Sequence, residues 1–224
     1  MRGSEAISEY TSLPRQEAFD IEYWLLEEAK LRRMPKPKPL SGRIALITGS
    51  AGGSGKAIAR KFVEEGACVI LSDNNVERLR HAGEEFDQSF GSDAFIENVL
   101  DVTDITTIRQ TLKKAILAFG GVDIIVNNAG LSISKSIEKH TEQDWNLLYD
   151  VLVKGQFFVT QQGIDIMRLQ GMGGDVVNIV SKNALVSGSD NAAYGAAKAA
   201  QLHMSRLNAA ELGKDKIRVN AVNR

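Results

Sequence analysis

The chain has 224 residues, a formal net charge of -1 and a hydrophobic share of 43%, which suits one globular α/β domain plus a short attachment. No basic excess points to nucleic acid, no acidic excess points to a disordered tail, and no apolar run is long enough to span a bilayer. The single cysteine, Cys68, lies in the apolar run Ala67-Cys68-Val69-Ile70-Leu71 and reads as a small buried hydrophobe. A lone cysteine forms no internal disulfide, which fits a reducing compartment, and no signal-peptide core follows the basic residue at the N-terminus. The expected location is the cytoplasm.

The first part runs to about Met34 and is dense in charge and aromatics. Pro14 suits a first helical turn, acidic residues come early, and Arg32 and Arg33 come late, as the helix dipole favours. Ile21, Trp24, Leu25 and Glu28 fall at helical spacing with Leu31 close by. That is more apolar surface than a lone helix keeps wet, so the helix is expected to pack on the main domain, on another copy or on something upstream. Pro35-Lys36-Pro37-Lys38-Pro39 follows as a stiff, extended spacer.

From Gly42 onward short apolar runs alternate with longer helical stretches. The expected strands are residues 43–48, 68–72, 94–100, 123–127, 175–181 and 216–221. The expected helices are residues 53–65, 75–88, 105–119, 142–169 and 192–212. Near-continuous apolar strands alternating with helices argue for a doubly wound parallel sheet, an α/β fold with helices on both faces and right-handed crossovers. No repeat is evident at solenoid periods.

Thr48-Gly49-Ser50-Ala51-Gly52-Gly53-Ser54-Gly55 follows the first strand and opens a helix. Glycines let the backbone turn sharply and let a pyrophosphate approach, and the helix start offers free N–H groups to that anion. Lys56 after Gly55 invites a P-loop reading. That reading fails, because the P-loop spacing needs glycine where Ser50 stands and Ser or Thr where Ala57 stands. The second strand ends at Ser72-Asp73-Asn74, with Asp73 twenty residues beyond Gly53. A carboxylate there accepts both adenosine ribose hydroxyls and repels a 2′-phosphate. No arginine follows it, so NAD is expected over NADP.

Further polar groups sit where strands end: Asp101-Val102 after the third, Asn127-Asn128-Ala129-Gly130 after the fourth, and Ser181 at the end of the fifth. Open α/β sheets bind ligands at that edge. Tyr194 and Lys198 stand four apart on the next helix and share a face. His81, His140 and His203 are scattered without ligand spacing, so no metal site is expected. Lys182 reads as a solvated loop residue, and Trp145 and Phe157 as packing residues.

On these residues the chain, from Leu40 to Val222, resembles the short-chain dehydrogenase/reductase family, which has a Rossmann fold. Thr48 to Gly55 matches the cofactor signature, with Ser54 where isoleucine is usual, and the adenine-side acid falls on Asp101. The Asn-Asn-Ala-Gly element falls on Asn127 to Gly130. The catalytic serine and the Tyr-x-x-x-Lys pair fall on Ser181, Tyr194 and Lys198. The implied cofactor contacts are Gly49, Ser50, Gly53, Ser54, Gly55, Asp73, Asp101, Val102, Asn128, Ala129 and Gly130, together with Tyr194 and Lys198.

Two departures carry consequences. Many members place a fourth catalytic residue, an asparagine, where this chain has Leu152, and leucine cannot hold the water that connects the lysine to solvent. The family also continues beyond Asn220-Ala221-Val222-Asn223 into Pro-Gly, a substrate-covering segment and a seventh strand. The implied division is an N-terminal helical extension and linker over residues 1–39, then a dinucleotide-binding domain over residues 40–224 that is C-terminally incomplete. Such a chain is expected to bind NAD and turn over poorly. The stretch from Glu17 to Leu31 is similar to the connector of bifunctional rhamnulose-1-phosphate aldolase/short-chain dehydrogenases, in which an aldolase domain comes first and makes lactaldehyde.

The resemblance implies an oxidoreductase that moves a hydride between NAD and a small hydroxyl or hydrated aldehyde, lactaldehyde in rhamnose catabolism being the candidate. Tyr194 would act as the base, because an ammonium one turn away favours the ionised phenol. Ser181 would donate to the substrate oxygen, and Lys198 would hold the nicotinamide ribose. The family's dimer face, made by the helices over residues 142–169 and 192–212, implies a homo-oligomer. The reading from another class is a non-catalytic NAD-binding or scaffold module of a fusion protein, which Leu152 favours and the joint presence of Ser181, Tyr194 and Lys198 disfavours.

Overall fold

The computed structural model describes residues 14–33, 36–186 and 188–224. The chain divides into two units, the first ending at Pro37 and the second starting at Lys38. Pro35 of the expected spacer lies outside the described residues.

The first unit holds helix α1 (Arg15–Arg33), with Glu17 in its first turn. Phe19 and Tyr23 stack at 5.5 Å between ring centroids, and Lys30 pairs with Glu27 at 2.7 Å. Phe19, Trp24, Leu25, Leu26 and Leu31 are all exposed.

The second unit is a six-stranded, wholly parallel sheet. Its strands are β1 (Ile44–Thr48), β2 (Cys68–Asp73), β3 (Phe95–Val99), β4 (Ile124–Asn127), β5 (Gly174–Ile179) and β6 (Ile217–Val222). Their order, β3-β2-β1-β4-β5-β6, reverses direction of travel between β1 and β4. Between the strands run α2 (Gly53–Glu64), α3 (Val76–Phe90), α4 (Ile105–Phe119), α5 (Glu142–Tyr149), α6 (Gln156–Gln170) and α7 (Ala192–Leu212). No helix among the described residues is long and apolar enough to cross a membrane.

Alternation along the strands builds two cores. Leu46, Ile70, Ile125 and Val176 face α4 and α6, where Ile108, Leu112, Val159 and Met167 are buried. Ala45, Ile47, Val69 and Leu71 point to the other face and meet Ala59 and Val63 of α2 and Leu79 and Phe86 of α3. Each fully buried Leu, Ile or Phe contributes about 1.5–3 kcal/mol, which is why these strands read as apolar runs. Helix starts are capped as their sequence suggests: the Asn75 side chain accepts the Arg78 N–H, Asp104 accepts the Thr106 N–H, and Thr141 and Asp144 form a capping box. α4 ends at Gly120, left-handed at φ 94°.

Two expected elements differ. The single helix over residues 142–169 is α5 and α6 joined by a wider π-helical turn, Asp150–Gly155. At Gly155 the backbone presses on Val102, since a Cβ added there would lie 2.8 Å from Val102 Cγ2. The missing side chain of Gly155 permits that approach, and Leu152 in the same turn is fully buried. β5 also stops short of expectation, at Ile179, two residues before Ser181.

Candidate active site

A crevice of about 410 Å³ opens at the C-terminal ends of the strands, where the connections leaving β1 and β4 part to opposite faces of the sheet and open α/β sheets receive their ligands. Gly49, Gly52, Gly53 and Ser54 form one wall, Asp73, Asn74 and Arg78 the next, Leu100, Asp101 and Val102 the floor, and Asn128 to Leu131 with Val151 and Arg224 the far side.

The glycine loop is built for a close approach. A Cβ on Gly55 would stand 2.2 Å from the Gly49 carbonyl oxygen, so Gly55 is an internal packing position. A Cβ on Gly52 or Gly53 would meet nothing within 4 Å and would project into open space. Gly52 caps α2 with no side-chain hydrogen bond, which leaves the helix's first N–H groups to a phosphate. Asn128 pins the loop: its Nδ2 donates to the carbonyls of Thr48 (2.9 Å) and Gly49 (3.0 Å), and Thr48 Oγ1 accepts from the N–H groups of Asn128 and Ala129. These features fit a dinucleotide pyrophosphate. Ser50 does not line the crevice. It is fully buried, and its Oγ accepts the Ser72 N–H at 2.7 Å, tying the loop to β2. Lys56 points elsewhere, to Glu85 of α3 at 2.9 Å, and holds that carboxyl below its usual range.

Asp73 ends β2, and its two oxygens accept the N–H groups of Ala51 (3.3 Å) and Asn75 (3.0 Å). Asp101 accepts from the Thr103 N–H and hydroxyl at 2.9 and 2.7 Å. Arg78 corrects the expectation that no arginine follows Asp73. It lies in the first turn of α3, and helical side chains lean toward the N-terminus, here toward the crevice.

The second group of residues lies beside this crevice rather than in its wall. Lys198 is buried, and its Nζ donates to the Ile179 carbonyl at 3.0 Å, two residues before Ser181. Burial pushes the ammonium down to about 8. Tyr194, one turn earlier on α7, has its ring centroid 5.8 Å from Lys198 Nζ. Ser181 Oγ accepts the Asn183 N–H at 3.3 Å, which leaves its own hydrogen free to donate. Gly130 bridges the two groups: it lines the crevice, and a Cβ on it would lie 4.0 Å from Lys198 Nζ and 3.1 Å from Leu152 Cδ2. Asn127 is structural, with Nδ2 donating to Thr160 Oγ1 (2.9 Å) and Asn178 Oδ1 (2.8 Å). Sequence reasoning missed Gln201, which is buried on α7 with its Nε2 donating to the Leu152 carbonyl at 2.6 Å.

A glycine cradle at a strand-to-helix turn, with a buried lysine and a tyrosine beside it, defines a dinucleotide-binding oxidoreductase scaffold. The short chain dehydrogenase model matches residues 43–224, and the chain belongs to that family of oxidoreductases. It is 38% identical over 222 residues to the uncharacterized oxidoreductase YuxG of Bacillus subtilis (strain 168), covering 99% of this chain and 32% of that protein. The chain thus spans about a third of the length of that relative. It is 37% identical over 183 residues to the (2S)-[(R)-hydroxy(phenyl)methyl]succinyl-CoA dehydrogenase subunit BbsD of Thauera aromatica, covering 82% of this chain and 72% of that one. The L-sorbose reductase of Gluconobacter frateurii, solved with NADPH and L-sorbose, superposes with a TM-score of 0.78 at 33% identity over 84% of this chain and 70% of that one. Residues 1–31 match a model of the class II aldolase second domain.

Proposed function

We propose that residues 40–224 form the catalytic part of an NAD-dependent dehydrogenase for a small hydroxyl or hydrated aldehyde, and that residues 1–39 connect it to an aldolase domain upstream. The observation that carries this reading is the Lys198 amine, buried beside Gly130 at the crevice edge and anchored to Ile179 near Ser181. The aldolase-like match at residues 1–31 supports the connector. It also supports lactaldehyde, an aldolase product of rhamnose breakdown, as the substrate, oxidised as its hydrate. The expected setting is the cytoplasm, and the expected form a homo-oligomer.

When bound, the nicotinamide supplies the hydride acceptor. Ser181 donates a hydrogen bond to the substrate oxygen and fixes its distance. Tyr194 takes the hydroxyl proton on its phenolic oxygen. Lys198 has one donor on Ile179 and two left for the cofactor ribose and for the charge near Tyr194. Gly52 and Gly53 give the pyrophosphate room, and Asp73 meets the adenosine ribose.

Tyr194→Phe tests the mechanism. Turnover of lactaldehyde with NAD should be lost, while NADH still binds when followed by fluorescence titration; retained turnover overturns the role of Tyr194. The same titration compares cofactors. Asp73 in the wall argues that NADH binds more tightly than NADPH. Arg78 in that wall favours a second reading, acceptance of a 2′-phosphate, and the Gluconobacter relative holds NADPH. Tighter NADPH binding would establish that second reading.

A further inference from the structure

The family asparagine of the long helix is replaced by an apolar side chain, and the structure shows what this chain does with that position. Leu152 is fully buried among Leu148, Ala193 and Ala197, with Tyr194 packed against the same cluster. Its Cδ2 and the Lys198 amine converge on Gly130. The Leu152 carbonyl points the other way, to the Gln201 carboxamide at 2.6 Å.

Gln201 is 2% exposed, and its Oε1 has no hydrogen-bond partner among the described residues. Both polar side-chain atoms of Gln156 share that condition and line the same narrow gap beneath the π-turn. A buried acceptor left without a partner costs about 1–3 kcal/mol. Stability alone does not select the glutamine, because an apolar residue at 201 would remove that orphan acceptor while stranding the Leu152 carbonyl, and the residue calls for another explanation.

That explanation lies in where Gln201 is anchored. Its backbone carbonyl accepts from Ser205 Oγ (2.8 Å), Ser205 Oγ accepts from Asn178 Nδ2 (2.8 Å), and Asn178 Oδ1 accepts from Asn127 Nδ2 (2.8 Å). A buried polar ladder thus runs from β4 through β5 to α7 and ends on the π-turn. We propose that Gln201 is a positioning residue: its carboxamide locks the π-turn so that the Leu152 side chain lies as an apolar cover over the Lys198 ammonium. The inference rests on the catalytic reading of Lys198 and adds how that amine is kept dry.

Around Lys198 the packed elements present few charges. α7 offers Tyr194, β5 the Ile179 carbonyl, and the β4 loop Gly130. The charges of the π-turn, Asp150 and Lys154, pair with each other at 3.2 Å and are half exposed. Lys182, after Ser181, is exposed. Burial, rather than a neighbouring charge, is therefore what lowers the Lys198 ammonium.

The test reads that protonation directly, by NMR titration of 13Cε-labelled lysine, with the Lys198 signal assigned by its loss in Lys198→Met. Gln201→Met keeps the volume and removes the amide. It should raise the Lys198 midpoint by roughly one pH unit, with a cooperative melt showing that the variant is folded. Leu152→Ala, which opens the cover itself, should raise it likewise. Ser205→Ala, which removes only one rung of the ladder, should shift it less and in the same direction; it serves if Gln201→Met does not fold. An unchanged midpoint in folded Gln201→Met, or in Ser205→Ala where only that variant folds, overturns the proposal. Because the readout needs no turnover, its failure is distinct from failure of the Tyr194→Phe experiment.

Discussion

Lys198 carries a conflict between stability and function. Its ordinary value is 10.5, and burial lowers it to about 8. Below about pH 8 the folded chain holds a buried ammonium that the unfolded chain would solvate freely, so the residue destabilises the fold. Between about 8 and 10.5 the folded state gives up the proton first, and stability rises with pH on that account. The penalty at neutral pH is of the order of 3 kcal/mol, from about 1.4 kcal/mol per pH unit between 10.5 and about 8. Part of it is offset by the bond to Ile179. Lys198→Met should therefore be inactive yet more stable than the wild type at pH 7, by about 1–2 kcal/mol, with the gain shrinking toward pH 10. Urea unfolding at the two pH values reads this, and an equal difference at both would contradict a desolvated ammonium. In activity the same titration should appear as a fall in kcat/KM as pH rises through about 8, where the charge beside Tyr194 is lost.

At the scale of elements, the glycine loop separates folding from binding. Gly55→Ala places a Cβ 2.2 Å from the Gly49 carbonyl and 2.5 Å from Asn128 Nδ2. Overpacking of that kind costs about 1–3 kcal/mol, so both melting temperature and NADH affinity should fall. Gly52 is extended at φ -162°, a conformation any residue adopts, and its Cβ would meet only open space. Gly52→Ala should melt with the wild type and still bind NADH at least several-fold more weakly; unaltered affinity in a fluorescence titration would remove the pyrophosphate from this loop. Much of this was legible in sequence. Strands β1, β2 and β4 are buried on both faces and so appear as apolar runs, and Asp73, Asp101 and Asn128 stand where those runs and their neighbour β3 end. What stayed hidden depends on contacts across space. One extra residue in the π-turn barely disturbs helical periodicity, so the long helix looked continuous. Arg78 looks like any surface arginine until the first turn of α3 is aimed at the crevice. Gln201 has meaning only opposite the Leu152 carbonyl, nearly fifty positions away in the chain.

For the whole molecule, the exposed faces of the helices that follow β4 and β5 raise the question of assembly. The outer faces of α5, the π-turn, α6 and α7 expose Trp145, Leu147, Phe157 and Leu207. Two hollows meet at Phe157. One, of about 400 Å³, is lined with Gln161, Asp165, Arg168, Asn208 and Glu211. The other, of about 300 Å³, is lined with Tyr149, Val153, Phe158 and Met204. Large apolar side chains rimmed by charge on two long helices have the composition expected of an interaction surface. A two-fold axis passing between copies of α6 and α7 would set each Phe157 against the partner's helices, the self-complementary arrangement of most homodimers. The helices carrying this face also carry Leu152, Tyr194, Lys198 and Gln201, so pairing would stiffen the elements that hold the site. Light scattering at micromolar concentration should then give a mass of at least two chains for the wild type. Phe157→Glu, which buries a charge at the centre of the face, should shift it to one chain. A wild-type protein that is monomeric under those conditions would leave this face to a different partner.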